Sequence, residues 1–222
     1  DYIIIHATGH EWWGNSVSAA DIADMWIHES FCTYSEAIYT ECVYGYDTAM
    51  TYVNALRGTV QNKTAIMGVY GLNREGHYDM YVKGMLFLNT LRHVIHNDSL
   101  WWSLIYEMAG KEFYHRTTNY DEVVAYFNRK SGMNMAPIFA QYVKHHQLPQ
   151  LEYVTRKKRN KTVTAVRWVA DVPDFAMPLT CSIDGEESQV LITSHWKKIH
   201  SVSPIAFDQI HYYYSLRKLL RQ

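Results

Sequence analysis

A chain of 222 residues that is 48% apolar and 19% charged can build a packed core and is too apolar to remain disordered. Lys+Arg 21 against Asp+Glu 22 leave a net charge of -1, which speaks against a general nucleic-acid binder with its basic excess. No run reaches the ~18 continuous apolar residues of a membrane span. The three cysteines, Cys32, Cys42 and Cys181, are too few and too scattered for a disulfide framework.

The chain opens Asp-Tyr-Ile-Ile-Ile, without an initiator Met or a targeting segment, and its first chemically loaded residue is already His6. It reads as a fragment whose upstream part is missing. Asp1 is placed to cap a first helix running through Trp12–Trp13 to Gly14, and a Ser/Ala/Asp loop follows. A second helix fits Met25 to Tyr44 and stops at Gly45. A third covers about Asp47 to Arg57. A fourth runs from about Met80 to His96, with Gly84, Leu88, Leu91 and Ile95 at helical spacing. Trp101 to Met108 extends the apolar pattern. Thr118 or Asn119 caps a helix from Tyr120 to Lys130 that Gly132 closes, and Pro137 suits the first turn of a last helix ending near His145.

After Pro149 the period changes to two. Leu179, Cys181 and Ile183 alternate with Thr180, Ser182 and Asp184; Asp184-Gly185 is a turn signal, and Val190 and Ile192 begin the return strand. Val166, Trp168 and Ala170 alternate likewise. Residues 1–150 therefore read as a helical unit and 151–222 as a small, sandwich-like β module. The basic run Arg156-Lys157-Lys158-Arg159-Asn160-Lys161 reads as a solvated loop entering that module rather than a nucleic-acid patch.

His6 and His10 lie four residues apart, which on a helix puts both imidazoles on one face, one turn apart, able to grip one metal ion. With 12 His in the chain, chance alone supplies roughly 0.6 such pairs, so the pair needs context. Glu29 supplies it from a second, returning helix. Two His and one carboxylate leave a fourth tetrahedral position open, the arrangement of a catalytic rather than a structural zinc site. Glu36, seven residues further along the same face, is either an outer partner of a ligand histidine or an exposed helix carboxylate. His93, His96, His145 and His146 lack the carboxylate or Cys spacing of a second metal site, and Cys32 reads as a small buried apolar residue.

The stretch His6-Ala7-Thr8-Gly9-His10-Glu11-Trp12-Trp13-Gly14-Asn15, followed by Trp26-Ile27-His28-Glu29-Ser30-Phe31-Cys32-Thr33-Tyr34, resembles the gluzincin zinc aminopeptidases, the family of alanyl aminopeptidases and leukotriene hydrolase. That family carries His-Glu-x-x-His, then Trp-Trp/Phe-Gly-Asn, then Trp-Leu-Asn-Glu-Gly-Phe-Ala, with eighteen residues between the second His and the ligand Glu, as here. Tyr81-Val82-Lys83-Gly84 is similar to its Tyr-x-Lys-Gly. The resemblance implies the mainly helical part of a thermolysin-like (zincin) catalytic domain followed by the β module. It further implies one Zn2+ per chain on His6, His10 and Glu29, with Tyr81 as the phenol that steadies the developing oxyanion, and peptide substrates. By the same likeness both cytoplasmic and exported compartments are open.

One departure stands out. The family's general base is the Glu directly after the first His, and that position here is Ala7. A methyl takes no proton, and general acid–base catalysis is typically worth ~10²–10⁴-fold. Glu11, four residues on, imitates the motif in a shifted register but is about 5–6 Å along the helix, with Gly14 where a second His is needed. Two readings of Ala7 stand: an inactivating substitution in an enzyme, or a natural pseudoenzyme that keeps zinc and binds peptides. The family's upstream Gly-x-Met-Glu-Asn segment, which reads the substrate's amino terminus, does not occur before His6. A sheet carrying that segment would cover these helices, so exposed apolar surface is expected.

Overall fold

A computed structural model describes residues 2–220, except the side chain of Lys158. Helices occupy the first part: α1 Tyr2–Gly9, α2 Met25–Tyr44, α3 Tyr46–Ala55, α4 Val82–Ile95, α5 Asp98–Glu107, α6 Tyr120–Ser131 and α7 Ala136–Phe139. Among the described residues none is long and apolar enough to cross a membrane.

The local signals act where the sequence puts them. Gly45, at φ 91°, ends α2 and lets α3 start one residue later at a new angle. The Asn119 side chain accepts from the Glu122 amide to open α6, and Gly132 closes it in the left-handed conformation. The anticipated cap at Asp1 lies outside the described residues.

Two local expectations are corrected. The first helix stops at Gly9, not near Gly14. From His10 onward the backbone tightens: His10 donates to Ala7 and Glu11 to Thr8, three residues back, and Gly14 takes φ 138°. The chain then enters β1, Val17–Ala19, where a loop was expected. This strand pairs in parallel with β2, Arg116–Thr118. The basic run is likewise a hairpin rather than a loop. It joins β3, Gln150–Lys158, to β4, Lys161–Val169, with the backbone of Arg159 left-handed at the turn.

A π-helical stretch, Ala140–Lys144, continues α7 to the expected end near His145, and the elements after it are strands: β3, β4, β5 Ala176–Ile183, β6 Glu186–Thr193, β7 Lys197–Ser201, β8 Ala206–Phe207 and β9 Ser215–Lys218. They form one sheet in the order β7-β4-β3-β9 and another in the order β6-β5-β8. Asp184 and Gly185, both at positive φ, make the two-residue turn between β5 and β6, as the Asp-Gly signal requires.

Helices and strands share one core, and α4 is its axis: Met85, Leu86, Phe87, Leu88 and Leu91 are all buried. Arg57, just after α3, donates to the carbonyls of Gln209 (2.6 Å) and Tyr212 (3.2 Å) ahead of β9. The buried Lys83 ammonium on α4 donates to the carbonyls of His145 (3.1 Å) and His146 (2.8 Å), fixing the segment where helix gives way to strand. The expected apolar surface is present on α1, where Tyr2, Ile3 and Ile4 are each at least 60% exposed.

Candidate metal centre

Three elements bring the site together. α1 carries His6, the tightened turn after it carries His10, and α2 carries Glu29 and Glu36. α1 packs against α2 at Gly9, where a Cβ would come into van der Waals contact with Cys32 at 3.4 Å. Although His10 has left the regular helix, its ring stays beside that of His6, with centroids 5.0 Å apart and planes nearly perpendicular.

The partners of each imidazole fix its orientation. His6 Nδ1–H donates to Glu36 Oε1 at 2.9 Å, and His6 Nε2 lies 3.1 Å from Glu29 Oε2. His10 Nδ1–H donates to the Trp13 carbonyl at 3.1 Å, and His10 Nε2 lies 3.6 Å from the same Glu29 oxygen. Both Nε2 atoms therefore meet one carboxylate oxygen. Two donors on a tetrahedral zinc ion at ~2.0–2.1 Å stand about 3.3 Å apart, so separations of 3.1 and 3.6 Å suit that ion. A histidine that donates its other N–H to a carboxylate or a backbone carbonyl is the usual outer arrangement of such a ligand.

The charges respond to this proximity. Hydrogen bonds to Glu29 and then Glu36 raise the His6 pKa to about 9 against the opposing effect of burial. Burial works against the Glu29 charge, but the His6 hydrogen bond and the two imidazoles outweigh it and hold the carboxyl below its ordinary value. A proton on His6 and a cation compete for the same place.

Glu36 is buried rather than an exposed helix carboxylate. Tyr81, the N-cap residue of α4, stacks on His6 with ring centroids 5.7 Å apart, near enough for the Glu29 charge to act on its phenol. Burial and then the Glu29 charge push the Tyr81 phenol up to about 12, so it stays a donor. His6, Glu36, Tyr52, Tyr78 and Tyr81 line a cleft of about 400 Å3. Ala7 and Glu11 are exposed, on α1 and on the turn after it.

Sequence reasoning missed two neighbours. Cys32 places its Sγ 3.2 Å from His10 Nδ1, so His6, His10 and Cys32 also form a group close enough to share a cation. The Glu29 set fits better. Cys32 faces the Nδ1 side of His10, where the Trp13 carbonyl already accepts from both groups, and burial raises the thiol pKa far above the range in which a thiolate forms. Tyr52, on α3, donates its hydroxyl to Glu36 Oε2. His28, next to Glu29, turns the other way and accepts from the Ala19 amide at 2.7 Å, tying β1 to α2.

No family model matches the sequence, and no curated protein matches it. Solved structures match the fold. Aminopeptidase A from Legionella pneumophila in complex with aspartic acid aligns over 99% of this chain and 27% of its own, with TM-score 0.78 and 10% identity. A glutamate-to-alanine mutant of an M1 zinc metallopeptidase from Deinococcus radiodurans, bound to a Tyr-Ser-Ala substrate, aligns over 67% of this chain and 34% of its own, with TM-score 0.57 and 22% identity. A two-domain M1 zinc metallopeptidase carrying the same kind of mutation, bound to L-tryptophan, gives TM-score 0.58 and 23% identity over the same shares. At these identities the likeness is one of fold. The chain resembles the M1 zinc aminopeptidases in fold and spans about a quarter to a third of the length of these structures.

Proposed function

We propose that residues 1–150 are the helical part of a thermolysin-like zinc peptidase catalytic domain, that 151–222 are a small β module, and that the whole protein is a metallopeptidase of the aminopeptidase type. The observation that carries this reading is the convergence of His6 Nε2 and His10 Nε2 on one oxygen of Glu29, at 3.1 and 3.6 Å. His6, His10 and Glu29 would hold one Zn2+, with Glu36 behind His6. When bound, zinc supplies Lewis-acid chemistry, polarising a carbonyl and making water acidic near neutral pH.

The chain's own residues supply the rest. Glu36 and the Trp13 carbonyl hold the two imidazoles with Nε2 outward. Tyr81, protonated and beside Glu29, is the donor available to a substrate carbonyl oxygen as it gains charge. A peptide is the substrate class: two of the similar structures hold a tripeptide and an amino acid. Ala7 stands where a proton acceptor is needed, so peptide hydrolysis by this chain is expected to be strongly impaired.

Ala7 also favours a second reading, a peptide-binding protein that retains zinc without catalysis. Changing Ala7→Glu in the full-length protein and assaying aminoacyl-anilide hydrolysis separates the two. The enzyme reading expects a rise of about 10²–10⁴-fold. Zinc bound with activity still absent favours the non-catalytic protein.

A further inference from the structure

We infer that Tyr52 is a positioning residue of the metal centre, its hydroxyl holding Glu36 in the one orientation that presents the His6 Nε2 lone pair to a cation. The inference rests on the zinc reading above and goes beyond it to a residue on a third helix. Glu36 is buried on α2, with a side chain only 6% exposed. Its two oxygens have separate partners: Oε1 accepts from His6 Nδ1–H at 2.9 Å, and Oε2 accepts from the Tyr52 hydroxyl. Among the described residues no lysine or arginine pairs with this carboxylate, and Tyr52 is its one side-chain hydrogen-bond partner other than His6.

The geometry makes a chain of three. Tyr52 on α3 holds Glu36 on α2, and Glu36 holds His6 on α1. Without the hydroxyl, Oε2 has no protein donor and faces the cleft that Tyr52, Glu36 and His6 line together. The carboxylate is then free to rotate about its terminal torsion, which is a broad, two-fold well. Rotation swings Oε1 off the Nδ1–H axis, and the imidazole loses its fixed direction. A ligand whose outer partner is lost typically binds metal 10–100-fold more weakly. Burial and the Glu36 charge raise the Tyr52 pKa, so the phenol remains a donor. The ring packs against the core independently of the hydroxyl, so Tyr52→Phe removes the hydrogen bond and little else.

The test is zinc affinity of the purified protein, measured by competition with a chromophoric chelator, for the wild type, Tyr52→Phe, Glu36→Ala and the double variant. Tyr52→Phe is expected to weaken zinc about 10-fold and to shift the visible spectrum of the Co2+-substituted protein, while the metal-free melting temperature changes little. In the Glu36→Ala background the same change should have no further effect, because the hydroxyl acts through Glu36. Wild-type affinity and an unchanged Co2+ spectrum in Tyr52→Phe overturn the inference while leaving the zinc reading intact, as does a loss that persists undiminished without Glu36. A wild-type protein that binds no zinc overturns both.

Discussion

Gly84 on α4 faces Ser30 on α2 so closely that a Cβ at residue 84 would lie 2.0 Å from the Ser30 hydroxyl oxygen and 3.0 Å from its Cα. The Ser30 hydroxyl is itself buried and donates to the Met80 carbonyl at 2.8 Å. The neighbour that would have to move is therefore partly backbone, on the helix that carries Glu29 in the adjacent position. Gly84→Ala should destabilise the fold by about 1–3 kcal/mol through overpacking, seen as a lower chemical-denaturation midpoint. Because α2 must shift, zinc affinity should fall with it. A variant of wild-type stability would show that α2 and α4 have slack at this crossing.

Lys83 predicts a different kind of loss. Its buried ammonium donates to the His145 and His146 carbonyls, and burial lowers its pKa to about 8. Lys83→Met keeps the volume and removes both bonds, and should cost about 1.5–3 kcal/mol at neutral pH. The charged form is the one that burial disfavours, so the folded state binds protons less tightly than the unfolded chain between about pH 8 and the ordinary lysine value of 10.5. The wild type should accordingly gain stability relative to Lys83→Met as pH rises through that window, and the difference should be flat below it. Denaturation curves at pH 7, 8, 9 and 10 measure the slope.

These two positions show what the motif Tyr81-Val82-Lys83-Gly84 encodes. Tyr81 belongs to the site, Lys83 clips the start of the strands, and Gly84 sets the distance between two helices. The pattern was legible in the sequence, but the work of Lys83 and Gly84 was not, because both act on residues distant in the chain. The same division runs through the fold. α2 and α6 were readable from Gly45, Asn119 and Gly132, which act within one turn. The end of α1 at Gly9 was not, because its cause is the entry into β1, and β1 pairs with a three-residue strand about a hundred residues away. The hairpin between β3 and β4 was hidden behind a run of charges that the end of a hairpin carries as readily as a loop does. At the site, the spacing of His6, His10 and Glu29 names groups that the fold brings together. Cys32 and Tyr52 reach it only through tertiary contact.

Metal binding should be coupled to proton release at His6. In the metal-free protein Glu29 and Glu36 hold its pKa at about 9, above the ordinary 6.5. A folded-state pKa raised in this way stabilises the metal-free protein fully below pH 6.5 and ceases to do so as pH rises through 9. Zinc needs the neutral imidazole, so the direction for affinity is opposite. It should strengthen by about tenfold per pH unit up to pH ~9, with close to one proton released per ion from this histidine. Calorimetric titrations in buffers of different ionisation enthalpy count that proton. A pH-independent affinity would show that His6 is not displaced from Glu29 by the metal.

Tyr81 should matter to turnover and not to metal retention. In an Ala7→Glu background, Tyr81→Phe should lower kcat by about 10²–10³-fold, the usual effect of losing one oxyanion donor, with zinc content unchanged. A fall in KM-dependent binding alone, with kcat preserved, would place the phenol on the substrate's ground state instead.

The most direct measurement is the zinc content of the purified protein after dialysis against trace metal, compared with that of His6→Ala and Glu29→Ala. The convergence of both Nε2 atoms on one Glu29 oxygen predicts about one ion per chain in the wild type and almost none in either variant. A wild type without zinc, or variants that retain it, would contradict the account.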